Sequence, residues 1–416
     1  MSSCLSLRAQ GRNLARPNMD PHVARPTGLP GTKADLAIAA KRLVVQVRAA
    51  REECERLRRM PVGVVEALAK ASLLQMYLPR AMGGPEIAPL VAFRVIEEIS
   101  SASGSIGWCT MIATAVSNAM GWLEVDVGRA IASTPADARL AGSIRPQGRA
   151  RPVDGGYRID GHWDFASGIN HARWVLCPCV LWDADAPMRT AAGAPRTRSF
   201  LIPAEAVTIE DTWHVLGLRG TGSHDFTVRD VFVPESHSFS HAEPPRQTSP
   251  LYDPRLYLTW VWTATAGNAM GIARGALSDF ADLAAHKATT TTTTLLRDRP
   301  LVQARVAEAE AILSGARAYL FLAVGELWAR ANAGEGDLDA GIVQARLAIT
   351  HGMHEAVRAV DLVFHVAGTN AIYEKNRLER HFRDIHVALQ HGAALPAHME
   401  AAGQALLGLR PLEPGW

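Results

Sequence analysis

Cysteine is scarce in this chain, and its few copies form no paired pattern. Cys4, Cys54, Cys109, Cys177 and Cys179 are scattered and odd in number. That excludes a disulfide framework and points to a reducing compartment, the cytoplasm. Cys177-Pro178-Cys179 is too closely spaced for a thioredoxin-like pair, and its place in the apolar run from Trp174 to Trp182 reads as strand packing. An excess of either charge is also missing. Lys and Arg number 43 against 41 Asp and Glu, which excludes the basic footprint of a nucleic-acid binder. No uninterrupted apolar run is long enough for a charge-free membrane span. The N-terminal stretch is rich in Arg and Pro and lacks the apolar centre of a signal peptide, so residues 1–34 are expected to be a disordered arm. His351 and His354 have helical spacing, but no third ligand stands at a recognisable distance, and no metal site is expected.

What is present is ample apolar material: 48% of 416 residues, enough for two or three domains. Three regimes follow one another. Residues 35–136 are helical, with amphipathic stretches at 39–57, 61–71 and 89–100 and a nearly all-apolar one at 107–123. Residues 137–240 alternate as strands do. Asp154-Gly155-Gly156 is a hairpin turn, and the run from Phe226 to Val233 ends at Pro234. Residues 241–416 return to helices at 260–286, 299–331, 340–364 and 376–392, which is the pattern of a four-helix bundle. The threonine run Thr289–Thr294 is expected to be a mobile loop, because β-branched crowding disfavours helix there. The fold class is therefore α+β, and a long apolar bundle face predicts oligomerisation.

Several residues stand out by type and place. Trp163, Phe165 and Ser167 occupy alternate positions, so an extended strand would turn them to one side, either into a core or onto a ligand. Leu218-Arg219-Gly220-Thr221-Gly222-Ser223 is a glycine-rich turn without the strand–helix setting of a dinucleotide fingerprint; it is either a hairpin or a ligand support, and Arg219 has the option of pairing with an acid. Arg383 and Asp384 read as helix ties.

The order helices, strands, bundle resembles the acyl-CoA dehydrogenase superfamily, and within it the flavin-dependent two-component monooxygenases. The resemblance runs from about Arg48 to Leu407. It is carried by Leu78-Pro79-Arg80-Ala81-Met82-Gly83-Gly84, Gly107-Trp108, Gly161 to Gly168, Asp211 to Asp225, Arg383-Asp384 and His398-Met399-Glu400-Ala401-Ala402-Gly403. It implies a helical N-terminal domain, a β-barrel-like middle domain and a C-terminal four-helix bundle. It also implies a homo-oligomer, expected to be a tetramer, with no membrane and no nucleic acid involved.

For the site, the resemblance implies that Ser167 hydrogen-bonds the flavin ring, that Trp163 shields a face of it with Phe165 nearby, and that Arg219 and Thr221 support it. Gly368 and Thr369 match the link where a neighbouring subunit meets the flavin. Gln390-His391-Gly392 stands near where some of the dehydrogenases carry their catalytic Glu. His391 is thus the leading catalytic candidate, either as a base or as a hydrogen-bond partner of an oxygenated flavin. Phenol hydroxylases of this branch have a histidine in the helix after Gly-Trp; here Ser117 or Asn118 is the expected substitute. The arginine that helps the dehydrogenases hold an adenine dinucleotide is replaced by the threonine run, which leaves reduced FMN (FMNH2) and reduced FAD (FADH2) both open.

The leading expectation is a monooxygenase. It would take reduced flavin from a separate NAD(P)H-flavin reductase and use O2 to hydroxylate a small aromatic or polycyclic molecule. Oxygenation at sulfur or nitrogen, α,β-dehydrogenation of an acyl-CoA, and a non-catalytic protein on this fold are the alternatives.

Overall fold

The computed structural model describes residues 32–288 and 293–409. Most of the expected arm and Thr289–Thr292 of the threonine run lie outside the described residues. The first helix, α1 (Thr32–Leu57), begins before residue 39, where the amphipathic pattern starts. It is followed by α2 (Val62–Lys70), α3 (Pro89–Ala102), α4 (Gly104–Asn118) and α5 (Val125–Ile131). Proline at the first position of α3 suits a site with no intrahelical acceptor for its N–H. Ser103 caps α4, its hydroxyl accepting from Ile106 N at 3.4 Å. Every residue of α4 except Ile112 is buried, so this helix is central, as its all-round apolar surface predicts.

The middle region holds strands β1 (Leu140–Gly142), β2 (Gly148–Val153), β3 (Gly156–Ala166), β4 (Trp174–Asp183), β5 (Ala186–Pro187), β6 (Thr197–Pro203), β7 (Thr208–Glu210), β8 (His224–Pro234) and β9 (Ser238–Phe239). They form one mixed sheet with the path β7-β8-β3-β2-β4-β6-β9; β1 and β5 also pair with β4. No pairing of β7 with β9 closes it into a barrel among the described residues. The expected hairpin is present, with Val153 opposite Gly156. Cys177 and Cys179 are fully buried in the sheet's own core.

The C-terminal block contains α6 (Tyr257–His286), α7 (Pro300–Asn332), α8 (Asp339–Ala367), α9 (Arg377–Ala388) and α10 (Pro396–Leu406). It shares one continuous core with the N-terminal helices. The contact between α6 and α3 is backbone to backbone. A Cβ at Gly267, Gly271 or Gly275 would lie 2.9, 2.4 and 2.4 Å from the carbonyl oxygens of Phe93, Glu97 and Ser101. Glycine at every fourth position therefore makes a groove into which α3 fits. Helix α7 is long and apolar enough by length and composition to cross a membrane, with 33% of that stretch buried. Its Arg317 forms a forked ion pair with Glu97 of α3, Nε to Oε1 at 2.8 Å and a second nitrogen to Oε2 at 2.9 Å.

One expectation is corrected. The last bundle helix does not run to residue 392: α9 stops at Ala388, and His391 is extended, with φ −71° and ψ 148°. The next residue is Gly392, which is weak in helix, and the imidazole of His391 itself caps the short turn Gly392–Ala394. The segment around His398 is a further helix, α10, laid against α8.

Candidate active site

The site is built where β3, the turn before β8, α4 and the α9–α10 link meet. Strand β3 slips register between Trp163 and Ala166, and Phe165 takes a positive φ of 59°. This bulge breaks the expected alternation. Trp163 turns into the sheet's core, stacked on Phe226 at 5.1 Å with its Nε1 donating to Pro178 O. Phe165 turns outward, 59% exposed, edge-on to Trp213. Ser167 turns toward α4. The three side chains do not share a face, and Trp163 is too deeply packed to shield a ligand.

Ser167 sits in a buried chain of hydroxyls. Its Oγ accepts from Trp108 Nε1 at 3.0 Å and lies 2.6 Å from Ser223 Oγ, which is 2.7 Å from Thr221 Oγ1. Thr221 Oγ1 in turn donates to Leu218 O. The left-handed Gly168 follows Ser167, with φ +80° and its N–H donating to Thr221 O. That bond ties strand end to turn, and a Cβ there would meet the His171 ring at 2.9 Å.

The turn itself is clamped from three helices. Asp384 of α9 accepts from Leu218 N at 2.6 Å. Burial, with Glu55 nearby, pushes its carboxyl up to about 7. Arg383 donates to Leu216 O and pairs with Glu55 of α1 and Glu379 of its own helix. The two helix ties read from the sequence are therefore separate devices. Arg219 donates to Val215 O and lies 3.6 Å from Glu55. The thiols of Cys54 and Cys109 lie against the carbonyls of Gly220 and Thr221, and burial raises both pKa values, so they remain protonated donors.

His391 reaches the same place from the other side. Its ring stands edge to face against Trp108, with centroids 5.4 Å apart. Its Nδ1 accepts from Ala393 N at 3.2 Å. Burial pushes its pKa down to about 4, so the ring is neutral near pH 7. A neutral imidazole that accepts at Nδ1 carries its proton on Nε2. The link bearing it is held by α8: Thr350 donates to Ala393 O, and His354 to Ala394 O. Beyond it, His398 donates to Gly392 O and packs on Trp262 at 4.4 Å.

Other residues named from the sequence are elsewhere. Asn118 is ten positions beyond Trp108, about 15 Å along α4. It is fully buried, donates to Leu251 O, and its Oδ1 has no partner. Gly368 and Thr369 are exposed at the end of α8, about 25 Å along the helix from Thr350. His386 pairs with Asp361, not with Asp384. An open recess of 610 Å³ near Pro250 and Arg255 contains none of these residues. Trp108, Trp213 and Ser223 join the site without having been assigned a role from the sequence. Trp108 and Ser223 were legible as polar-tipped residues inside apolar or glycine-rich stretches, and Trp213 only as part of the stretch Asp211 to Asp225 that carries the resemblance.

The residues present fit a flavin ring: a buried serine with acceptor capacity, a neutral histidine with a donor nitrogen, and an exposed aromatic ring, Phe165, two residues before the serine. Residues 36–123 match the acyl-CoA dehydrogenase N-terminal domain, and 263–396 its C-terminal domain. The chain is 30% identical to an indole-3-acetate monooxygenase of Acinetobacter baumannii, over 85% of this chain and 88% of that one. It is 30% identical to the oxygenase component of an FADH(2)-dependent resorcinol hydroxylase of Rhizobium sp., over 88% and 92%. The crystal structure of the HsaA monooxygenase from M. tuberculosis superposes with a TM-score of 0.82 at 25% identity, covering 92% of this chain and all of that one.

Proposed function

The chain belongs to the acyl-CoA dehydrogenase family, in its flavin-dependent monooxygenase branch, and we propose that it hydroxylates a small aromatic molecule with reduced flavin supplied by a separate reductase. Reduced flavin, when bound, would supply the two electrons that activate O2, one oxygen atom going to the substrate and the other to water. Ser167 and the Thr221 turn hold the ring, and Phe165 covers it from solvent. His391 keeps its proton on Nε2 and offers it as a hydrogen-bond donor where oxygen chemistry occurs. The observation that carries this reading is His391 itself: neutral, held at Nδ1 by Ala393 N, and set against the indole that binds Ser167. A donor role follows more directly than a base role, because the basic nitrogen is already engaged. The nearby acid, Asp384, carries the Leu218 amide, which disfavours a dehydrogenase base there.

The relatives named for indole-3-acetate and resorcinol support an aromatic substrate, and the Trp262–His398 pair next to Gly392 supports a flat one. A homo-oligomer, taken as a tetramer, would bring Gly368 and Thr369 of one subunit to the flavin of another; exposed Ile372, Tyr373 and, on α7, Leu322 favour such contacts. The buried thiols suit the cytoplasm.

The test is anaerobic mixing with reduced FMN or reduced FAD, followed by oxygen and stopped-flow absorbance. A lasting near-ultraviolet transient, formed with one flavin in preference to the other, is expected. Immediate reoxidation, combined with bleaching of bound oxidised flavin by an acyl-CoA, would overturn the reading in favour of a dehydrogenase.

A further inference from the structure

We propose that Thr350 and His354, one turn apart on α8, are positioning residues for His391: they fix the short turn whose backbone holds its imidazole. The inference rests on the donor role given to His391 above. That turn is poorly bonded from within. Ala394 N donates to His391 O at 2.9 Å, but Leu395 N reaches Gly392 O only at 3.4 Å. The next backbone nitrogen belongs to Pro396 and carries no hydrogen, so Ala393 O has no donor three residues on. Ala393 and Ala394 are nevertheless buried, and their carbonyls need partners.

Side chains from outside supply them, in order along the turn. His398 donates to Gly392 O at 2.7 Å, Thr350 to Ala393 O at 2.9 Å and His354 to Ala394 O at 3.0 Å. A carbonyl can only accept, so the direction of each bond is fixed. Ala393 is the pivot. Its N–H meets His391 Nδ1 at 3.2 Å and its C=O meets the Thr350 hydroxyl, so the residue that holds the ring is itself held by α8. Thr350 is oriented for this task. Thr110, Thr114, Thr263 and Thr265 each return their hydroxyl to the carbonyl four residues back in their own helix. Thr350 sends its hydroxyl out to another element instead. The depth and tilt of His391 Nε2–H are thus referenced to α8, whose inner face lies in the main core, rather than to α9, which has already ended at Ala388.

The test uses two variants and two readouts. Thr350→Val removes the hydroxyl at nearly constant shape, and His354→Phe keeps a ring without an N–H. The first readout is nitrogen NMR of flavin-free protein carrying isotope-labelled histidine, with His391 identified by its absence from the His391→Ala spectrum. Wild type should show one tautomer, protonated on Nε2, and each variant a mixture. The second is stopped-flow absorbance with reduced FMN or reduced FAD and oxygen. Each variant should shorten the near-ultraviolet transient about tenfold, part of the roughly hundredfold that a displacement of about 1 Å costs, while flavin affinity is unchanged. Thr350→Ser and His354→Gln keep a donor and should return both signals towards wild type. If the two side chains merely satisfy buried carbonyls, the variants will have lower urea midpoints but unmoved signals, and that result would overturn the proposal. So would a wild-type His391 protonated on Nδ1. Circular dichroism identifies a variant that fails to fold, and His354→Phe, at a half-buried position, carries the test if Thr350→Val is lost. Wild type with the expected tautomer but no transient would remove the oxygenase reading, a different failure; the NMR comparison would then decide the positioning role alone.

Discussion

The imidazole of His391 stands edge to face against the indole of Trp108, with centroids 5.4 Å apart and planes at 81°. That one contact joins the α9–α10 link to the hydroxyl chain through Ser167. It fixes the ring's azimuth, while Ala393 N fixes its tautomer. Replacing His391 with Ala should leave flavin binding largely intact and uncouple the reaction: flavin is oxidised, and hydrogen peroxide is released in place of product. The loss of one buried donor predicts a fall in product formation of about 10- to 100-fold. His391→Asn, which retains an N–H, should recover part of it. Product and peroxide measured in the same reaction decide the matter; unchanged coupling in the alanine variant would remove His391 from the chemistry.

The pH dependence has a definite sign. Burial depresses the pKa values of His171, His241 and His391 to about 3, 4 and 4. The unfolded chain protonates these histidines near 6.5. Between the two values the unfolded state binds more protons, so stability falls as pH drops below about 6.5 and levels off near 3 to 4. Asp384 has the opposite sign. Its folded pKa of about 7 lies above the ordinary value, so its contribution falls as pH rises towards 7. Three histidines outweigh one aspartate, and urea midpoints should decrease from pH 6.5 to 4.5. His241 sits among Trp122, Phe239 and Tyr257, with its Nδ1 unpartnered. His241→Phe should therefore flatten the slope. A slope identical to wild type would show that this ring titrates normally.

The groove between α6 and α3 makes a sharper test of packing. A methyl at Gly271 would lie 2.4 Å from Glu97 O and 2.5 Å from Ser100 Cβ. Gly271→Ala should cost about 1–3 kcal/mol, read from urea denaturation. Gly63 on α2 has nothing within 4 Å of its would-be Cβ. Gly63→Ala should be neutral or stabilising by up to about 1 kcal/mol. Equal effects at the two positions would mean that the helices separate easily.

Much of this architecture can be read without coordinates, for identifiable reasons. Apolar residues at helical spacing locate the bundle, and the Asp154-Gly155 turn locates the β2–β3 hairpin, because periodicity and turn chemistry are local. Gly267, Gly271 and Gly275 were equally visible, but glycine spacing tells that something approaches closely, not that it is α3. The bulge at Phe165 was hidden because positive φ there is imposed by pairing with β8; no glycine or asparagine marks it. Strict alternation therefore put Trp163 on the wrong side. The end of α9 was hidden too, since its stop depends on an imidazole folding back to cap the next turn. His391 and Ser167 could be named as candidates, but Trp108 joins them only through contacts distant in sequence.

Arg383 provides the last test, because it holds three elements at once. Its guanidinium donates to Leu216 O at 2.7 Å and to Glu55 at 2.9 Å, and also pairs with Glu379. All three side chains are at most 15% exposed. Removing the cation would leave two acids facing each other, with only the longer contacts of Glu55 to Arg219 and Arg380, each at 3.6 Å, to offset them, a change that costs up to about 3–5 kcal/mol when the pair is buried. Arg383→Met should therefore destabilise strongly in urea. It should also loosen the turn from Leu216 to Thr221, and with it the chain that orients Ser167, so flavin affinity should fall along with stability. The triple variant Arg383→Met, Glu55→Gln, Glu379→Gln removes the stranded charges. It should recover most of the stability, yet less of the flavin affinity, because the bond to Leu216 O is still missing. Recovery of both in parallel would show that Arg383 acts on the fold alone.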